Sequence, residues 1–287
     1  LALFFTISFL RKYKLFEKQT LKITIVKFLN IGLILYLSFK ILWGLNYSRP
    51  SVANQLHIKK EKYSVEELVL LGNYFVNKLN ELKPKTTPNL TYTIEELQQK
   101  AATAYELSAQ KNTFFKTNVK AVKPVLNSYF ISKIGIEGYY NPISGEANIN
   151  MDLPPWVLPF VTCHEIAHQL GVAKEDEANL VGYWVCINSK DLNFQYSANY
   201  NMLRYILYEI RIKSPKDYEK LLKKIAPAVI EDFKTEEKFW AQYNGQMSNY
   251  MGFVFDKFLK INDQKKGINS YQDIVIWLWN IHRPLAP

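Results

Sequence analysis

The stretch Leu158-Pro-Phe-Val-Thr-Cys-His-Glu-Ile-Ala-His-Gln-Leu-Gly171 gives the strongest indication of fold and chemistry in this chain. His164 and His168 are four residues apart, so both imidazoles lie on one face of a helix and can reach a single Zn²⁺. Glu165 lies beside them, where its carboxylate can take a proton from a zinc-bound water. The alternative is a core helix whose two histidines are hydrogen-bonded. The motif predicts one zinc ion per chain, with Glu165 as the general base.

A zinc site of this kind needs a third protein ligand, and the candidates are Glu175 and Glu177. A ligand six residues after His168 is excluded, because that position is Lys174 and an ammonium cannot bind a metal. On a helix the two glutamates are about 200° apart, so only one can face the metal. The face of Glu175 continues through small residues that allow close helix approach, which favours Glu175 and leaves Glu177 as the alternative. Asn179, one turn further on, is predicted to hold the far N–H of a ligating histidine.

Residues 51–287 are predicted to form one helix-rich domain, since they contain no repeat and no long linker. Ser64 and Thr93 each precede a glutamate by three residues and begin an amphipathic run, which is the pattern of a capping box. We therefore expect helices over 64–82 and 93–111. The last third of the domain is also predicted to be mostly helical.

Upstream of the histidine helix, the helical pattern gives way to a strand, a turn and a second strand. Alternation along the second strand places Ala147 and Ile149 on one face. Glu146, Asn148 and Asn150 are predicted to lie on the other face. The body is therefore expected to be α+β and mostly helical, with a small antiparallel sheet packed on the helix that carries the two histidines.

The N-terminal residues 1–50 are predicted to be a transmembrane region. Residues 1–10 have the composition of the end of one span, so the sequence is expected to be a fragment. Residues 11–22 form a basic loop, and 23–45 form a second span that is long enough to cross a bilayer. Because basic loops stay in the cytoplasm, we expect a multi-pass protein of the bacterial inner membrane, with its main domain on the periplasmic or extracellular side. A buried amphipathic helix is the alternative.

Composition and charge exclude other classes. With 48% hydrophobic and 22% charged residues, the chain is not disordered. The net charge is +10, but residues 1–50 contain eight of the 36 Lys and Arg and one of the 26 Asp and Glu, so most of the excess lies there. The nearly neutral body argues against nucleic-acid binding. Cys163 and Cys186 lie in apolar helical stretches, which favours buried free thiols over a disulfide.

These motifs together resemble a known family. The sequence HEIAHQLG followed by EDEAN is similar to gluzincin-type zinc metallopeptidases, in which Glu-x-x-x-Asp/Asn supplies the third ligand and its supporting residue. More closely, the chain resembles the bacterial membrane family DUF3810. The stretches that carry this second resemblance are 43–47, 145–148, 158–171, 175–179, 255–260 and 267–271. The resemblance implies a membrane-anchored protein with a zincin-like zinc peptidase domain, and it implies no particular substrate.

The function expected from these observations is hydrolysis of a peptide or protein substrate beside a lipid membrane. In zincins a strand upstream of the active helix binds substrate as an added strand, and this resemblance points to the strand from Glu146 to Asn150. Tyr196, Tyr200 and His282 are candidates for stabilising the oxyanion, with structural roles as the alternative. A second hypothesis is a membrane-anchored sensor or interaction domain that keeps a zinc site without turnover.

Overall fold

The computed structural model describes residues 18–117, 121–243 and 273–283, and separately 245, 252, 254, 256, 257 and 259–262. The chain divides into two units, Leu1–Leu45 and Asn46–Pro287. The second unit begins at Asn46. The predicted first span, residues 1–10, and the matched stretch 267–271 lie outside the described residues.

The first unit contains one long apolar helix, α1 (Lys18–Leu42), which is followed by a 3₁₀ turn at Gly44–Ser48. Its part from Lys22 to Leu42 is long and apolar enough to cross a membrane, and it is the one such helix among the described residues. The predicted span 23–45 falls on it. By length and composition this helix could be a single span or a signal sequence, so the described residues do not support the predicted multi-pass arrangement.

The second unit starts with α2 (Val52–Gln55), α3 (Val65–Leu82) and α4 (Ile94–Lys111). Both predicted capping boxes are present at Ser64 and Thr93. Each hydroxyl accepts the N–H of the glutamate three residues on, and that glutamate accepts the N–H of the cap residue. These bonds satisfy backbone donors that the first turn of a helix leaves free, and the helices begin where the sequence predicted.

A three-stranded sheet follows, formed by β1 (Val122–Pro124), β2 (Gly138–Asn141) and β3 (Glu146–Ile149), with helix α5 (Ser128–Lys133) between β1 and β2. The order is β1-β3-β2, with β1 parallel and β2 antiparallel to β3. The prediction of an antiparallel sheet was therefore wrong in one respect, since the sheet is mixed. A three-residue strand ending in proline is too short to show the alternation by which strands are predicted.

Both faces of β3 are buried. Ala147 and Ile149 lie in the core on one face, as predicted. On the other face Asn148 is 7% and Asn150 is 0% exposed, so the polar side chains predicted for this face are also buried. At the end of this face the Asn150 amide donates to the Ser132 hydroxyl of α5 at 2.8 Å.

The remaining described helices form the bulk of the second unit. They are α6 (Leu158–Gln169), α7 (Glu175–Ile187), α8 (Leu192–Lys213), α9 (Pro215–Leu222), α10 (Pro227–Ala241) and α11 (Ile274–His282). Helix α6 is central, because α4, α7, α8 and the sheet all pack against it. Its side chains are buried from Leu158 through His168. The structure is thus a mostly helical α+β fold with a small mixed sheet, and α6 is a buried helix at its centre.

Helices α6 and α7 approach each other closely. A Cβ atom at Gly182 of α7 would lie 3.2 Å from the backbone nitrogen of His164, so a larger residue there would separate the two helices. Cys163 and Cys186 are buried near the same contact and are free thiols. The small residues on this face of α7 therefore permit the close helix approach that the sequence predicted, and this approach allows a ligand on α7 to reach the histidines of α6.

Candidate metal centre

The two motif histidines lie side by side in the core. They are held on consecutive turns of α6, where His164 is 9% and His168 is 6% exposed. Their ring centroids are 4.9 Å apart and the ring planes cross at 86°. The spacing of four residues therefore brings both imidazoles to one place, as the helix period requires.

Glu175 completes a group of three. It is the first residue of α7, and the turn at Gly171 (φ +81°) reverses the chain between the two helices. Glu175 Oε2 lies 3.3 Å from His164 Nε2 and 3.7 Å from His168 Nε2. The three ligand atoms are all within 4.8 Å of one another, so this triad could hold a metal ion.

The spacing of these atoms suits a small ion. Imidazole nitrogen and carboxylate oxygen bind Zn²⁺ at about 2.0–2.2 Å, which places neighbouring ligand atoms of a tetrahedral site about 3.3 Å apart. The distances from Glu175 to the two histidines are 3.3 and 3.7 Å, close to that value. The donor set and its geometry therefore fit a divalent metal ion that accepts imidazole and carboxylate ligands.

The electrostatics keep Glu175 ionised. Burial raises its pKa, but hydrogen bonds from His164 and His168 outweigh burial and hold the pKa well below its ordinary value. Burial lowers the pKa of His168, and hydrogen bonding and charge from Glu175 outweigh this effect and raise it to about 9. The carboxylate is therefore in the form that a metal ligand needs at neutral pH.

The outer nitrogens of the histidines do not contact Asn179, which corrects that prediction. His168 Nδ1 lies 2.6 Å from the carbonyl oxygen of Val172, a neighbour in the turn after α6. His164 Nδ1 has no hydrogen-bond partner among the described residues. The Asn179 amide donates instead to the Tyr205 hydroxyl at 3.4 Å. A backbone carbonyl thus holds the ring that the sequence argument assigned to a side chain.

Glu177, the alternative third ligand, points elsewhere. Its carboxylate lies 3.6 Å from Lys174 Nζ. Burial raises the pKa of Glu177, while Lys174 and Val52 lower it. Of the two acids, Glu175 is the one that meets the histidines.

Glu165 is buried between α6 and the sheet and is 5% exposed. A Cβ atom at Gly138 would lie 2.9 Å from Glu165 Oε1, so β2 approaches this carboxylate as closely as a residue without a side chain allows. Burial raises the pKa of Glu165; the histidines oppose this shift, and the charges of Glu175 and Glu137 add to it. The predicted base thus stands beside the triad in a site that favours accepting a proton.

The structure also places three residues here that the sequence argument missed, namely Glu137, Arg204 and Tyr205. Burial raises the pKa of Glu137, whose carboxylate lies 3.4 Å from Arg204 Nη1, and the charge of His164 also acts on it. Burial raises the pKa of Tyr205 to about 12, so its hydroxyl stays protonated. Arg204 could have been found from the sequence, because it lies four residues after Tyr200, a predicted oxyanion candidate, and residues four apart share one face of a helix.

The three predicted oxyanion candidates are engaged in the core. The Tyr196 hydroxyl donates to Asp232, and the Tyr200 hydroxyl donates to Glu236 at 2.5 Å. His282 Nε2 lies 2.7 Å from the hydroxyl of Tyr183 on α7. These contacts support the structural alternative for all three.

The predicted substrate-binding strand is not at an edge. β3 carries Glu146, Ala147, Asn148 and Ile149, and it pairs with β1 on one side and β2 on the other. An added strand would need a side of β3 whose backbone groups are unpaired, and both sides of β3 are occupied by neighbouring strands. The N–H of Asn150, just after β3, donates to the Glu137 carbonyl. Among the described strands, β2 is the edge strand beside Glu165.

The fold and the site together define a mostly helical α+β protein with a buried His-His-Glu group that could hold a metal. The family model described as "Protein of unknown function (DUF3810)" matches residues 1–279, so the chain belongs to the DUF3810 family. Comparison with curated proteins and with solved structures found no match.

Proposed function

We propose that this protein is a membrane-anchored, zinc-dependent peptidase of the gluzincin type. The observation that carries the proposal is the convergence of His164, His168 and Glu175 within 4.8 Å, with the buried carboxylate of Glu165 beside them. When bound, a zinc ion supplies a water of lowered pKa and polarises a carbonyl group. Peptide hydrolysis needs these two effects and a base, and Glu165 is the base.

Glu165 carries the proton in this proposal. It follows His164 directly, so it lies about 100° round the helix and can approach an open ligand position without taking the place of a protein ligand. Its carboxylate accepts a proton from the attacking water and returns it to the leaving amine. The raised pKa supports this role, because a base that must also act as an acid works best near the ambient pH.

The edge of β2 is the proposed place for an extended substrate. The Asn150 N–H donates to the Glu137 carbonyl, and hydrogen-bonding direction alternates along an antiparallel strand. Gly138 therefore turns its backbone N–H and C=O groups towards the side of β2 that no described strand covers. A peptide added there runs past Glu165, since Gly138 is in contact with that side chain.

Tyr205 is the proposed donor to the oxyanion. Its hydroxyl accepts a hydrogen bond from Asn179, so its own proton remains for another acceptor. The charges of Glu175 and Glu137 both act on this hydroxyl and help to keep it protonated. A protonated phenol in this position can donate to a developing negative charge.

A variant of Glu165 tests the mechanism. Glu165→Gln keeps the size and hydrogen-bonding capacity of the side chain but cannot take the proton, so zinc binding should persist while peptide cleavage falls at least about a hundredfold. Zinc content by mass spectrometry and cleavage of a mixed peptide library by the full chain measure the two effects. Glu177→Gln, a buried control near the site, should retain cleavage. Equal cleavage by Glu165→Gln and wild type would defeat the mechanism.

A zinc-binding sensor without turnover remains the second candidate, because one observation favours it. His164, Glu165 and His168 are all less than a tenth exposed, which leaves a substrate little access to the metal site. In this case zinc-loaded wild type would cleave no member of the library. The two functions are therefore separated by the same experiment.

Localisation and partners are part of the proposal. Helix α1 is proposed to anchor the chain in the bacterial inner membrane, with the second unit on the periplasmic or extracellular side and a peptide or protein as substrate. The apolar side chains exposed along α1 support a lipid partner. The concentration of basic residues before residue 50 fits that anchor rather than a nucleic-acid site.

A further inference from the structure

The segment 46–53, here called the strap, contacts the loop that joins the two ligand-bearing helices. It directly follows the first unit and leads into α2. The loop, residues 170–174, connects α6, which carries both histidines, to α7, which begins with Glu175. Contacts between strap and loop therefore act on the segment that sets the distance between the second and third candidate ligands.

Arg49 makes the main contact. Its Nη1 donates to the carbonyl oxygen of Leu170 at 2.7 Å. Leu170 is the C-cap of α6, where helix carbonyls lack partners within the helix and the dipole is negative. A guanidinium at this position satisfies a free acceptor and complements its charge.

Gly171 shows how closely the strap fits. Its φ of +81° already favours glycine, and a Cβ atom there would lie 2.0 Å from Arg49 Nη1 and 2.9 Å from Asn46 Oδ1. Any other residue would push Arg49 and Asn46 away. The turn is therefore shaped to receive these two side chains.

The same turn orients His168. The carbonyl oxygen of Val172 lies 2.6 Å from His168 Nδ1, and the Gly171 N–H donates to the His168 carbonyl at 2.9 Å. With Nδ1 as the donor to Val172, Nε2 is the nitrogen that faces Glu175 and would bind a metal in place of its proton. Arg49 thus binds the carbonyl of Leu170, which lies two residues before Val172, and the carbonyl of Val172 fixes the His168 ring.

The strap also contacts α7. Helix α2, which begins within the strap, packs against α7, and the side chains of Val52 and Ala53 are buried. One short segment therefore joins the end of the histidine helix to the helix that carries Glu175.

We infer that Arg49 is a positioning residue for the metal centre, which holds the turn at 170–172 and through it the orientation of His168. The inference rests on the metal site of the proposed function and not on peptide cleavage. Asn46, which lies beside Arg49 against the same turn, belongs to the stretch 43–47 that carried the family resemblance.

The test uses the full chain in detergent with three variants. Arg49→Gln removes the charged donor, Arg49→Lys keeps one charged donor, and Arg283→Gln is the control, since Arg283 is another arginine in a surface contact, with Glu61. Zinc affinity is measured by competition with a chelator, and the absorption spectrum of the Co²⁺-loaded protein reports ligand geometry. Thermal unfolding without metal reports the fold.

We expect Arg49→Gln to bind zinc at least about tenfold more weakly, as for other residues that support a ligand, and to show an altered Co²⁺ spectrum. Arg49→Lys should recover part of both, and Arg283→Gln should match wild type. If Arg49→Gln does not fold, the intermediate affinity predicted for Arg49→Lys is the test.

Two results would overturn the inference while leaving the proposed function intact. One is that Arg49→Gln has the zinc affinity and the Co²⁺ spectrum of the wild type. If Arg49→Gln does not fold, the same result in Arg49→Lys overturns the inference. The other is a loss in Arg49→Gln that Arg49→Lys does not relieve and that parallels a lower metal-free unfolding temperature, which would indicate a structural role. Absence of zinc binding by the wild type would overturn both the inference and the metal site.

Discussion

At the scale of single residues, the two acids after the histidine motif differ in what their carboxylates meet. Glu175 Oε2 contacts both imidazoles at 3.3 and 3.7 Å, whereas Glu177 Oε1 lies 3.6 Å from Lys174 Nζ. Both belong to the first turn of α7 and both carboxylates are largely buried. Glu177 is therefore a control for Glu175 that is matched in residue type, helix turn and burial, and that differs in the groups its carboxylate contacts.

Substitution of these two acids should separate them. Glu175→Gln removes the charge of a ligand and should weaken zinc binding at least about tenfold, while Glu177→Gln should change it far less. Chelator competition with the full chain measures both. The reverse ranking would show that Glu177 is the ligand, and equal losses would show that the first turn of α7 matters only for folding.

At the scale of elements, α1 differs from every other described helix. Most of its large apolar side chains are exposed, and between Lys22 and Leu42 it has the length and composition of a membrane span. Residues 11–22, which precede this span, contain five Lys and Arg against one Glu. Because basic segments remain in the cytoplasm, α1 should lead the second unit out across the membrane.

Reporter fusions test this orientation. A phosphatase that is active only outside the cytoplasm should be active when fused after residue 60 and inactive when fused after residue 17, before α1 begins. The reverse pattern would overturn the proposed localisation. Release of the first fusion into the soluble fraction would identify α1 as a signal sequence that is cleaved, not as an anchor.

At the scale of the whole molecule, His282 links pH to global stability. It lies on α11, where its ring is 4.6 Å from that of Tyr74 on α3 and its Nε2 is 2.7 Å from the hydroxyl of Tyr183 on α7. Burial lowers the pKa of His282 to about 4. In the unfolded chain a histidine titrates near 6.5, so between about 6.5 and about 4 the unfolded state binds more protons and folding weakens as pH falls.

We expect this group to remove up to about 3 kcal/mol from the free energy of unfolding between pH 6.5 and 4. His282→Gln retains a hydrogen-bonding group that does not titrate, so it should flatten the pH dependence in this window. Urea unfolding of the full chain at several pH values measures it. His57→Asn is the control, since His57 is exposed and its φ of +56° is one that Asn tolerates. A wild-type slope in His282→Gln would contradict the assignment.

Several features of the fold and site could be predicted from the sequence because they depend on neighbours within one or two turns. The spacing of His164 and His168 determines that their rings share a face, and the capping boxes determine where α3 and α4 begin. The small face of α7 was also sufficient to favour Glu175, since Gly182 allows the close contact with α6. In each case the helix period converts local spacing into geometry.

Other features depended on residues far apart in the chain, and only the tertiary structure decided them. Pairing of β1 with β3 makes the sheet mixed and moves the open edge to β2. Val172 rather than Asn179 holds His168, and Arg49 reaches Leu170 across 121 positions of sequence. Periodicity shows which side of an element is buried, but not which distant backbone carbonyl or strand will face it. That choice is made by packing, because buried polar groups take whichever partners the folded chain brings within hydrogen-bond distance.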